Sequence, residues 1–491
     1  MCYYMREKGA IMSETFFGRG DLIANLSSLW RKKSASLVTC RGRRRIGKST
    51  LIRHFAEKSK ARFLKVEGLK PKQGMSNADE LAFFAATIAG QTGVEQPIPR
   101  DWLTAFRLLD QVIVDKERTV VLLDEVSWMA CFDVTFSSVL KSAWDNLFKR
   151  HPRLVLVVCG SVSTWIKDNI IDDGAFFGRR SLDIVVPELP VSDCVRFWGR
   201  VAERIDKREI LDVLSVTGGV PRYLEEVDPS LSAMENLRRM AFSRESILRV
   251  DFDEMFNDVI TRQPTFTASV LRCLTSDSRT VSEIATALGI ERNGHVSDAL
   301  NRLVESAIVA QDAGRNPQTG ANIREIRFRI CDNYTRFYLR YIDPVKKTID
   351  SGAYRLGVLE GLPEWSVVMG LAFENLVVGH VREIIERLGL GSALILSAAP
   401  YRRAATKSAP GVQVDLLIQA QRTVCVVEIK RRSEIGRSVI DEVAEKISKL
   451  AIRPGVSVRT ALVYEGRLSP QVEAEGYFDL LLPFHSLLET S

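Results

Sequence analysis

One segment near the start of the chain has the residue types and spacing of a phosphate-binding loop. Residues 42–49 read Gly-Arg-Arg-Arg-Ile-Gly-Lys-Ser, which fits GxxxxGK[ST], and they lie between a predicted strand and a predicted helix. The glycines would let backbone N–H groups turn toward phosphates at the helix N-terminus. Lys48 would reach the β and γ phosphates, and the Ser49 hydroxyl would hold Mg²⁺. The segment therefore predicts ATP and Mg²⁺ as ligands, the alternative being a chance glycine-rich turn. The predicted nucleotide contacts here are Gly42, Arg43, Arg44, Arg45, Ile46, Gly47, Lys48, Ser49 and Thr50.

A second segment places two carboxylates at the end of an apolar strand. Val120-Val-Leu-Leu is followed by Asp124 and Glu125. Asp124 would hold the metal through water, and Glu125 would orient and activate the attacking water, because phosphoryl transfer depends mainly on positioning and charge stabilisation. Adjacent carboxylates can also be solvated strand ends, but the loop upstream favours catalysis. Lys48 and Glu125 are thus the predicted catalytic residues of an Mg²⁺-dependent ATPase.

Three polar residues further along are weaker candidates. Ser161 follows the next predicted strand and could sense the γ-phosphate. Arg179 and Arg180 come just before the last strand, where one of them could act as a sensor or as an arginine finger in a neighbouring subunit of a homo-oligomer. A surface ion pair is at least as good an interpretation of these arginines.

The elements that must position these residues alternate between apolar runs and amphipathic helical stretches. Near-continuous apolar strands separated by helices predict a parallel sheet covered on both faces, an α/β architecture whose ligands sit at the carboxyl ends of the strands. The predicted strands are residues 34–40, 61–66, 119–124, 153–159 and 182–186.

Three further parts are predicted downstream. A helical stretch interrupted by Gly-Gly-Val-Pro at 218–221 is interpreted as a lid, and three short helices with a hairpin predict a winged helix-turn-helix. A helix at 372–385 and two strands then predict a second α/β domain. The expected boundaries are 13–189 for the ATPase core, 190–255 for the lid, 256–343 for the winged helix and 366–491 for the last domain.

Taken together, the motifs resemble a known family. Phe17-Gly-Arg19, the loop at 42–49, Leu-Leu-Asp-Glu-Val, Cys-Gly-Ser161, Phe-Gly-Arg-Arg180 and Gly219-Val-Pro221 look like those of the archaeal-type P-loop ATPases, which are related to AAA+ and to signal-transducing ATPases with numerous domains. The resemblance covers about residues 13–230. It implies that Phe17–Arg19 lie near the adenine and that Gly219–Pro221 form the nucleotide sensor of the lid, with Pro221 as a contact. Residues 328–337 look like the segment that follows the winged helix in relatives with a C-terminal nuclease-like domain.

The last domain holds a second candidate site. Metal-dependent nucleases of the PD-(D/E)xK type need an Asp on one strand and a Glu and a Lys two residues apart on the next. Glu428 and Lys430 share a strand face, and a hairpin about residues 421–422 puts Asp415 opposite Glu428. These carboxylates could share one Mg²⁺, with Lys430 stabilising charge and Glu374 completing the metal site. The pattern resembles the restriction-endonuclease-like superfamily, with Val in place of the usual Pro before Asp415. The alternative is a polar hairpin edge.

Basic residues and one asparagine near these parts predict DNA as a partner, through its phosphate backbone. They are Arg292, Asn293, His295 and Arg302 at the recognition helix, Arg324, Arg327 and Arg329 in the wing, and Arg402, Arg403, Lys407, Arg431 and Arg432 around the second site. The same charges could be a solvated face, and winged helices also dock proteins.

The composition excludes several classes of protein. With 491 residues, 46% hydrophobic and 26% charged, the chain reads as an ordinary soluble protein of several domains. It has neither an apolar run long enough for a membrane span nor a signal-peptide core, so a cytoplasmic protein without a membrane partner is expected, with the natural start at Met12. The eight cysteines form no CxxC pair, which argues against zinc or a disulfide framework.

Two hypotheses follow. The first is an ATP-switched, DNA-acting enzyme in which nucleotide state controls assembly or lid position, the winged helix engages DNA and the last domain cuts or grips it. The second is a signalling or interaction ATPase whose last domain retains only the nuclease fold.

Overall fold

The chain divides into two compact units in the computed structural model, which describes residues 16–95, 97–161, 163–259, 264–291, 294–355, 357–407 and 410–489. The first unit comprises Met1–Gly42, Gly47–Gly160 and Trp165–Val186, and the second comprises Arg43–Ile46, Ser161–Thr164 and Pro187–Ser491. Four residues of the phosphate loop therefore belong to the second unit.

The first unit contains a five-stranded parallel sheet in the order β2-β3-β4-β1-β5. Every residue of β3 and β4 is buried, as expected for strands covered on both faces. The α/β fold with a parallel sheet is thereby confirmed. The strands are β1 (Ser36–Arg41), β2 (Arg62–Glu67), β3 (Thr119–Asp124), β4 (Leu154–Gly160) and β5 (Arg180–Val185). The helices are α1 (Gly20–Ser28), α2 (Lys48–Lys58), α3 (Asn77–Thr92), α4 (Trp102–Gln111), α5 (Val126–Met129) and α6 (Phe136–Asn146), with α7 (Ser163–Ile166) after β4.

Local sequence signals explain where helices of the first unit begin. Asp101 precedes α4 and accepts a hydrogen bond from the Thr104 N–H at 2.8 Å. Ser76 and Asp79 form a capping box at the start of α3. Such caps satisfy N–H groups that lack partners within the helix. The apolar faces then meet in an aromatic core, which includes an edge-to-face contact between Trp102 and Phe136 at 4.7 Å.

The second unit begins with helices and continues into two sheets. Its helices are α8 (Val191–Cys194), α9 (Lys207–Thr217), α10 (Pro221–Leu224), α11 (Ala233–Ala241), α12 (Ile247–Val259), α13 (Pro264–Arg272), α14 (Val281–Ala287), α15 (Gly294–Glu305), α16 (Asn333–Phe337), α17 (Lys346–Asp350), α18 (Trp365–Gly379), α19 (Val381–Arg387), α20 (Ser438–Lys449) and α21 (Pro470–Ala474). Its strands are β6 (Val309–Asp312), β7 (Arg327–Ile330), β8 (Ile395–Arg403), β9 (Val412–Ala420), β10 (Thr423–Ile435), β11 (Ser457–Leu468) and β12 (Leu480–Pro483).

Helices α13 to α15 are followed by the antiparallel pair β6 and β7, the order of elements that the sequence predicts for a winged helix. Thr280 and Glu283 form a capping box at the start of α14. This explains why a helix begins within a short polar segment.

The C-terminal sheet is mixed, in the order β12-β11-β10-β9-β8. β9 pairs antiparallel with both β8 and β10. β11 pairs parallel with both β10 and β12. In the β9–β10 hairpin, Val424 pairs with Gln419 and Val427 with Leu416. This is the register predicted from the sequence.

The helix predicted at 372–385 is wrong in one respect, because it is broken at His380. This residue leaves helical geometry, with φ −109° and ψ 26°, between α18 and α19. Its Nδ1 lies 2.7 Å from the Leu376 carbonyl oxygen, and its Nε2 accepts a hydrogen bond from the Val191 N–H at 3.0 Å. A long-range contact therefore replaces the helical continuation.

Within the described part of the chain, no helix combines the length and the apolar character needed to cross a membrane.

Replacing Gly219 with Ala should destabilise the second unit. A Cβ atom there would lie 2.1 Å from the Leu189 carbonyl oxygen, so backbone must shift at a cost of roughly 1–3 kcal/mol or more. Gly370 in α18 is the control, because an added Cβ meets nothing within 4 Å and Ala should stabilise the helix by about 0.5–1 kcal/mol. Thermal unfolding measures both effects, and equal shifts for the two variants would contradict the clash.

Candidate functional site

The phosphate loop, Gly42–Ser49, connects β1 to α2 and turns on two glycines. Gly42 and Gly47 have φ angles of 150° and 82°, which residues with side chains rarely adopt. A Cβ atom on Gly42 would also lie 2.8 Å from the backbone oxygen of Val186. The buried Lys48 donates from Nζ to the Gly42 carbonyl oxygen at 3.1 Å. Its ammonium therefore lies against the loop at a helix N-terminus, where an anion is favoured.

Asp124, the last residue of β3, contacts the phosphate loop directly. Ser49 Oγ donates to Asp124 Oδ2 at 2.5 Å, and Lys65 Nζ lies 3.0 Å from the same oxygen. Burial alone would raise the pKa of Asp124, but the Lys65 charge and the Ser49 hydrogen bond hold this pKa below its ordinary value. The carboxylate is therefore ionised at neutral pH.

The pair formed by Ser49 and Asp124 is suited to Mg²⁺. A hydroxyl and a carboxylate are oxygen donors of the kind that this hard cation prefers, and their direct contact at 2.5 Å means that both could turn to one ion. When bound with nucleotide, Mg²⁺ neutralises charge on the β and γ phosphates.

Glu125 follows Asp124 with a left-handed backbone, φ 47° and ψ 48°. This conformation costs a non-glycine residue free energy and tends to occur at functional sites. Gly68 allows it, because a Cβ there would lie 2.7 Å from the Glu125 carbonyl oxygen. The half-buried Glu125 is therefore fixed beside the carboxylate predicted to hold the metal.

Lys65 is a site residue that the sequence interpretation missed. β2 pairs in parallel with β3, with Glu67 opposite Asp124, and Lys65 shares a strand face with Glu67. Its Nζ also contacts Glu67 at 2.7 Å. The available signal was Lys-x-Glu at the end of a predicted strand, but the sequence does not say which strand lies beside it.

Arg179 and Arg180 both bind groups of the first unit. Arg179 donates to the two carboxylate oxygens of Asp145 at 2.8 and 3.0 Å. Arg180 donates to the Ile171 carbonyl oxygen at 3.1 Å. The ion-pair interpretation therefore describes Arg179, and nothing in these contacts favours an arginine finger.

The segment predicted near the adenine touches the phosphate loop. Arg19 has a positive φ of 58° and donates from Nη1 to the Gly47 carbonyl oxygen at 3.3 Å. Thr50 is half-buried in the first turn of α2. The roles of both residues toward nucleotide stay predictions.

Ser161 and Pro221, the remaining nucleotide candidates, belong to the second unit. Ser161 is buried directly after β4, and Pro221 begins α10, where its missing N–H has no helical partner to lose. The preceding turn is held by Glu188, which accepts a hydrogen bond from the Gly219 N–H at 2.8 Å. Burial raises the pKa of Glu188 to about 6. A role of this turn in sensing nucleotide stays a prediction.

Arg43 of the phosphate loop forms a buried ion pair with Asp332. Its guanidinium carbon lies 5.3 Å from the ring centre of Tyr223 and 5.7 Å from that of Tyr334, distances suited to cation–π attraction. Burial alone would lower the pKa of Arg43, but the Asp332 charge keeps this pKa above its ordinary value. The guanidinium therefore stays charged inside the second unit.

The next two loop arginines also meet carboxylates of that unit. Arg45 Nε donates to Asp251 at 2.7 Å, and Arg44 and Arg45 each contact Glu254, at 3.1 and 3.2 Å. Tyr223 donates its hydroxyl proton to Asp251 at 2.5 Å. The side chains predicted as nucleotide contacts thus contact protein carboxylates, while the neighbouring Ile46 is buried.

In the C-terminal sheet, the β9–β10 hairpin brings Asp415 and Glu428 together. Asp415 Oδ2 accepts a hydrogen bond from the Ile429 N–H at 2.9 Å. Glu428 is completely buried, and Lys430 Nζ lies 2.8 Å from its Oε1. The structure thus places all three predicted residues of the nuclease pattern in one cluster.

A second lysine, absent from the sequence prediction, completes this cluster. Lys446 on α20 donates from Nζ to Glu428 Oε2 at 2.5 Å and lies 3.8 Å from Asp415 Oδ1. Burial, followed by the Glu428 charge, raises the pKa of Asp415 to about 6. The sequence signal was the i, i+4 spacing of Glu442 and Lys446 on one helix face, which is common on surface helices as well.

The donor set of this cluster suits a divalent cation only in part. Asp415 and Glu428 offer carboxylate oxygens, but both oxygens of the buried Glu428 contact lysine ammonium groups. However, the described residues contain no group of three or more His, Cys, Asp or Glu side chains arranged to hold a metal ion. The role of Glu374 as a third ligand stays a prediction.

Glu374 lines a pocket of about 80 Å³ that Asp415 also lines. Arg327, Arg329 and Arg336 form part of the pocket wall. Burial, followed by the Asp415 charge, raises the pKa of Glu374 to about 7. The predicted nuclease residues therefore adjoin the predicted wing.

Two of the three predicted wing arginines bind protein groups. Arg327 pairs with Glu283 at 2.8 Å, and Arg329 pairs with Asp312 at 2.8 Å. Arg324 is exposed. In the predicted recognition helix, Arg292 and Asn293 lie outside the described residues, His295 is exposed and Arg302 is half-buried.

The basic residues predicted around the second site differ in the same way. Lys407 and Arg432 are exposed. The other three contact protein groups: Arg402 with Asp277, Arg403 with the backbone oxygens of Pro410 and Lys449, and Arg431 with Asp212 and Ser215.

Comparison with known proteins identifies the first part of the chain. Residues 16–227 match the family described as an ATPase domain predominantly from Archaea. The chain therefore contains an archaeal-type ATPase domain. This ATPase domain includes the phosphate loop, Asp124 and Glu125, and its extent agrees with the resemblance predicted over 13–230.

Other similarities are more distant. The uncharacterized protein MJECL04 of Methanocaldococcus jannaschii is 21% identical over 373 residues, which cover 75% of this chain and 78% of that protein. The Walker-type ATPase PABY2304 of Pyrococcus abyssi is similar at 17% identity with a TM-score of 0.48, covering 66% of this chain and 96% of that one. The ORC2 protein of Aeropyrum pernix is similar at 13% identity with a TM-score of 0.44, covering 69% and 97%.

Replacing Arg43 with Ala should leave the buried Asp332 carboxylate without its cationic partner. The loss of one partner of such a pair costs roughly 3–5 kcal/mol, so the unfolding temperature of the second unit should fall sharply. The double variant Arg43→Met, Asp332→Asn should lose much less, because no charge is left unpaired. A single variant as stable as the parent in thermal unfolding would show that the ion pair does not hold this region.

Proposed function

We propose that this protein binds and hydrolyses ATP with Mg²⁺ and uses the nucleotide state to control an action on DNA by its second unit. The observation that carries the first part is the 2.5 Å hydrogen bond between Ser49 and Asp124. Two motifs far apart in sequence meet there as oxygen donors, with the Lys48 ammonium against the same loop. The archaeal-type ATPase domain supports this function.

Each residue has a distinct role in the proposed hydrolysis. Lys48 binds the β and γ phosphates and stabilises charge that develops during transfer. Ser49 and Asp124 would hold Mg²⁺, which would neutralise phosphate charge. Glu125 orients the attacking water and accepts its proton. Lys65 keeps Asp124 ionised, since it offsets the effect of burial.

Replacing Lys48 with Ala should abolish ATP binding, because the phosphates lose their main cationic contact. Lys58→Ala is the matched control, since this exposed lysine lies at the other end of α2. Glu125→Gln should bind ATP as the parent does and turn it over at least about 100-fold more slowly. Equilibrium binding and phosphate release measure the two effects. Parental turnover by Glu125→Gln would remove Glu125 from the role of water-activating residue.

Ion pairs within the second unit support its response to nucleotide. Arg43 and Arg45, which follow Gly42 in the phosphate loop and belong to this unit, bind Asp332 and Asp251, so phosphates bound at the loop would alter the charge around these two ion pairs. Because the loop is continuous in the chain, a change in its backbone reaches these ion pairs directly.

Action on DNA is proposed for the winged helix-turn-helix and the restriction-endonuclease-like domain. The order of α13–α15, β6 and β7 supports the first assignment. The second is supported by the mixed sheet and by the cluster of Asp415, Glu428 and Lys430. Exposed Arg324, Lys407 and Arg432 are suited to a phosphate backbone.

The full protein with ATP should cleave DNA only with a divalent metal. Asp415→Ala removes a metal ligand and Lys430→Ala withdraws stabilising charge, so each should stop cleavage while ATPase activity stays near the parental level. Asp441→Ala, an exposed residue of α20, is the control. Plasmid and single-stranded DNA assays with Mg²⁺ or Mn²⁺ measure the effect. If both Asp415→Ala and Lys430→Ala still cleave DNA, this cluster is not the nuclease site.

A second candidate function is a signalling or interaction ATPase with an inactive nuclease-like domain. Both oxygens of Glu428 contact lysines, Lys430 and Lys446, and Arg327 and Arg329 are bound to protein. These contacts favour a structural role of the same residues. Absence of metal-dependent cleavage of any DNA, together with normal ATP turnover, would select this function.

A further inference from the structure

In the C-terminal sheet, the cluster of Asp415, Glu428 and Lys430 includes a further positive charge, the ammonium group of Lys446. α20 packs on β9 and β10, and its Lys446 places one ammonium 2.5 Å from Glu428 Oε2 and 3.8 Å from Asp415 Oδ1. One positive charge therefore contacts both carboxylates that the nuclease pattern would use for a metal.

The other oxygens of these two carboxylates have different neighbours. Asp415 Oδ2 accepts the Ile429 N–H at 2.9 Å, and Glu428 Oε1 lies 2.8 Å from Lys430 Nζ. Lys430 is shared with Glu442, also at 2.8 Å. Asp415 Oδ1 and Glu428 Oε2, the two oxygens that a common cation could reach without meeting Lys430 or the Ile429 N–H, are the oxygens that Lys446 contacts.

Burial makes this occupancy energetically important. The side chain of Glu428 is 0% exposed and that of Asp415 is 11% exposed, so two like charges lie together away from water. Such a pair needs a cation nearby to remain ionised. Lys446 meets that need with one charge, whereas a divalent ion would supply two and needs oxygens at about 2.0–2.6 Å. Both cations cannot occupy the same place.

We propose that Lys446 is an internal counter-cation that competes with a divalent metal ion for Asp415 and Glu428. Metal binding then requires the Lys446 side chain to leave, and this exchange sets the metal affinity of the domain. The inference rests on the proposed metal-dependent role of this site, but it concerns binding and is independent of cleavage.

Mn²⁺ titration of the full-length protein without nucleotide tests the competition. Lys446→Gln removes the competing charge and keeps a hydrogen-bond donor for Glu428, so Mn²⁺ affinity should rise at least about tenfold. Lys449→Gln is the matched control, since this lysine of the same helix pairs with Glu445. In the double variant Asp415→Ala, Lys446→Gln the gain should vanish, which locates it at this site.

A second variant tests the opposite direction. Arg at position 446 keeps the charge and can bind Glu428 through two N–H groups, so Lys446→Arg should fold and bind Mn²⁺ more weakly than the parent. The rise in unfolding temperature with added Mn²⁺ provides an independent reading, larger in Lys446→Gln and smaller in Lys446→Arg.

The outcomes separate this inference from the proposed function. Mn²⁺ affinity of Lys446→Gln equal to or below that of the parent would overturn the competition, even if the parent cleaves DNA. A gain that survives Asp415→Ala would overturn it as well, because the metal would bind elsewhere. Tighter Mn²⁺ binding by Lys446→Gln in a protein that cleaves no DNA would uphold the competition and reject nuclease activity alone.

Discussion

The buried ion pair between Arg43 and Asp332 constrains much of the second unit. A guanidinium and a carboxylate that are both nearly inaccessible to water are stable only as a pair, since either one alone would be an uncompensated buried charge. Asp332 also caps α16 by accepting the Thr335 N–H at 2.7 Å, and Tyr223 and Tyr334 flank the guanidinium. A phosphate-loop residue is thereby joined to the predicted lid and to the segment after the predicted wing.

In both candidate sites, lysine side chains neutralise buried carboxylates. Asp124 stays ionised although buried because Lys65 lies 3.0 Å away, and Glu428 is buried between Lys430 and Lys446. A site built from carboxylates to receive a divalent cation carries excess negative charge whenever the cation is absent. Nearby ammonium groups neutralise that charge, and their strength decides how readily a metal can enter.

Charge patterns in the sequence were least informative about partners. Arg327 and Arg329 have the spacing of a DNA-facing strand, yet they pair with Glu283 and Asp312. Arginine binds both carboxylates and phosphates. The sequence therefore does not show whether a given arginine pairs with a protein carboxylate or with a nucleic-acid phosphate. Exposure in the folded chain distinguishes these two cases, and of the three arginines predicted for the wing only Arg324 is exposed.

The sequence by itself determined the parallel sheet, the phosphate loop, the two carboxylates at the end of β3 and the β9–β10 register. These features depend on local propensity, on period-two alternation and on spacing within one segment, all of which are written along the chain. Only the tertiary structure decided that Lys65 lies beside Asp124, that Lys446 contacts both Asp415 and Glu428, and that Glu374 and Asp415 line one pocket. The physical reason is that strand order and helix docking, which set those contacts, depend on long-range packing and on the neutralisation of buried charge.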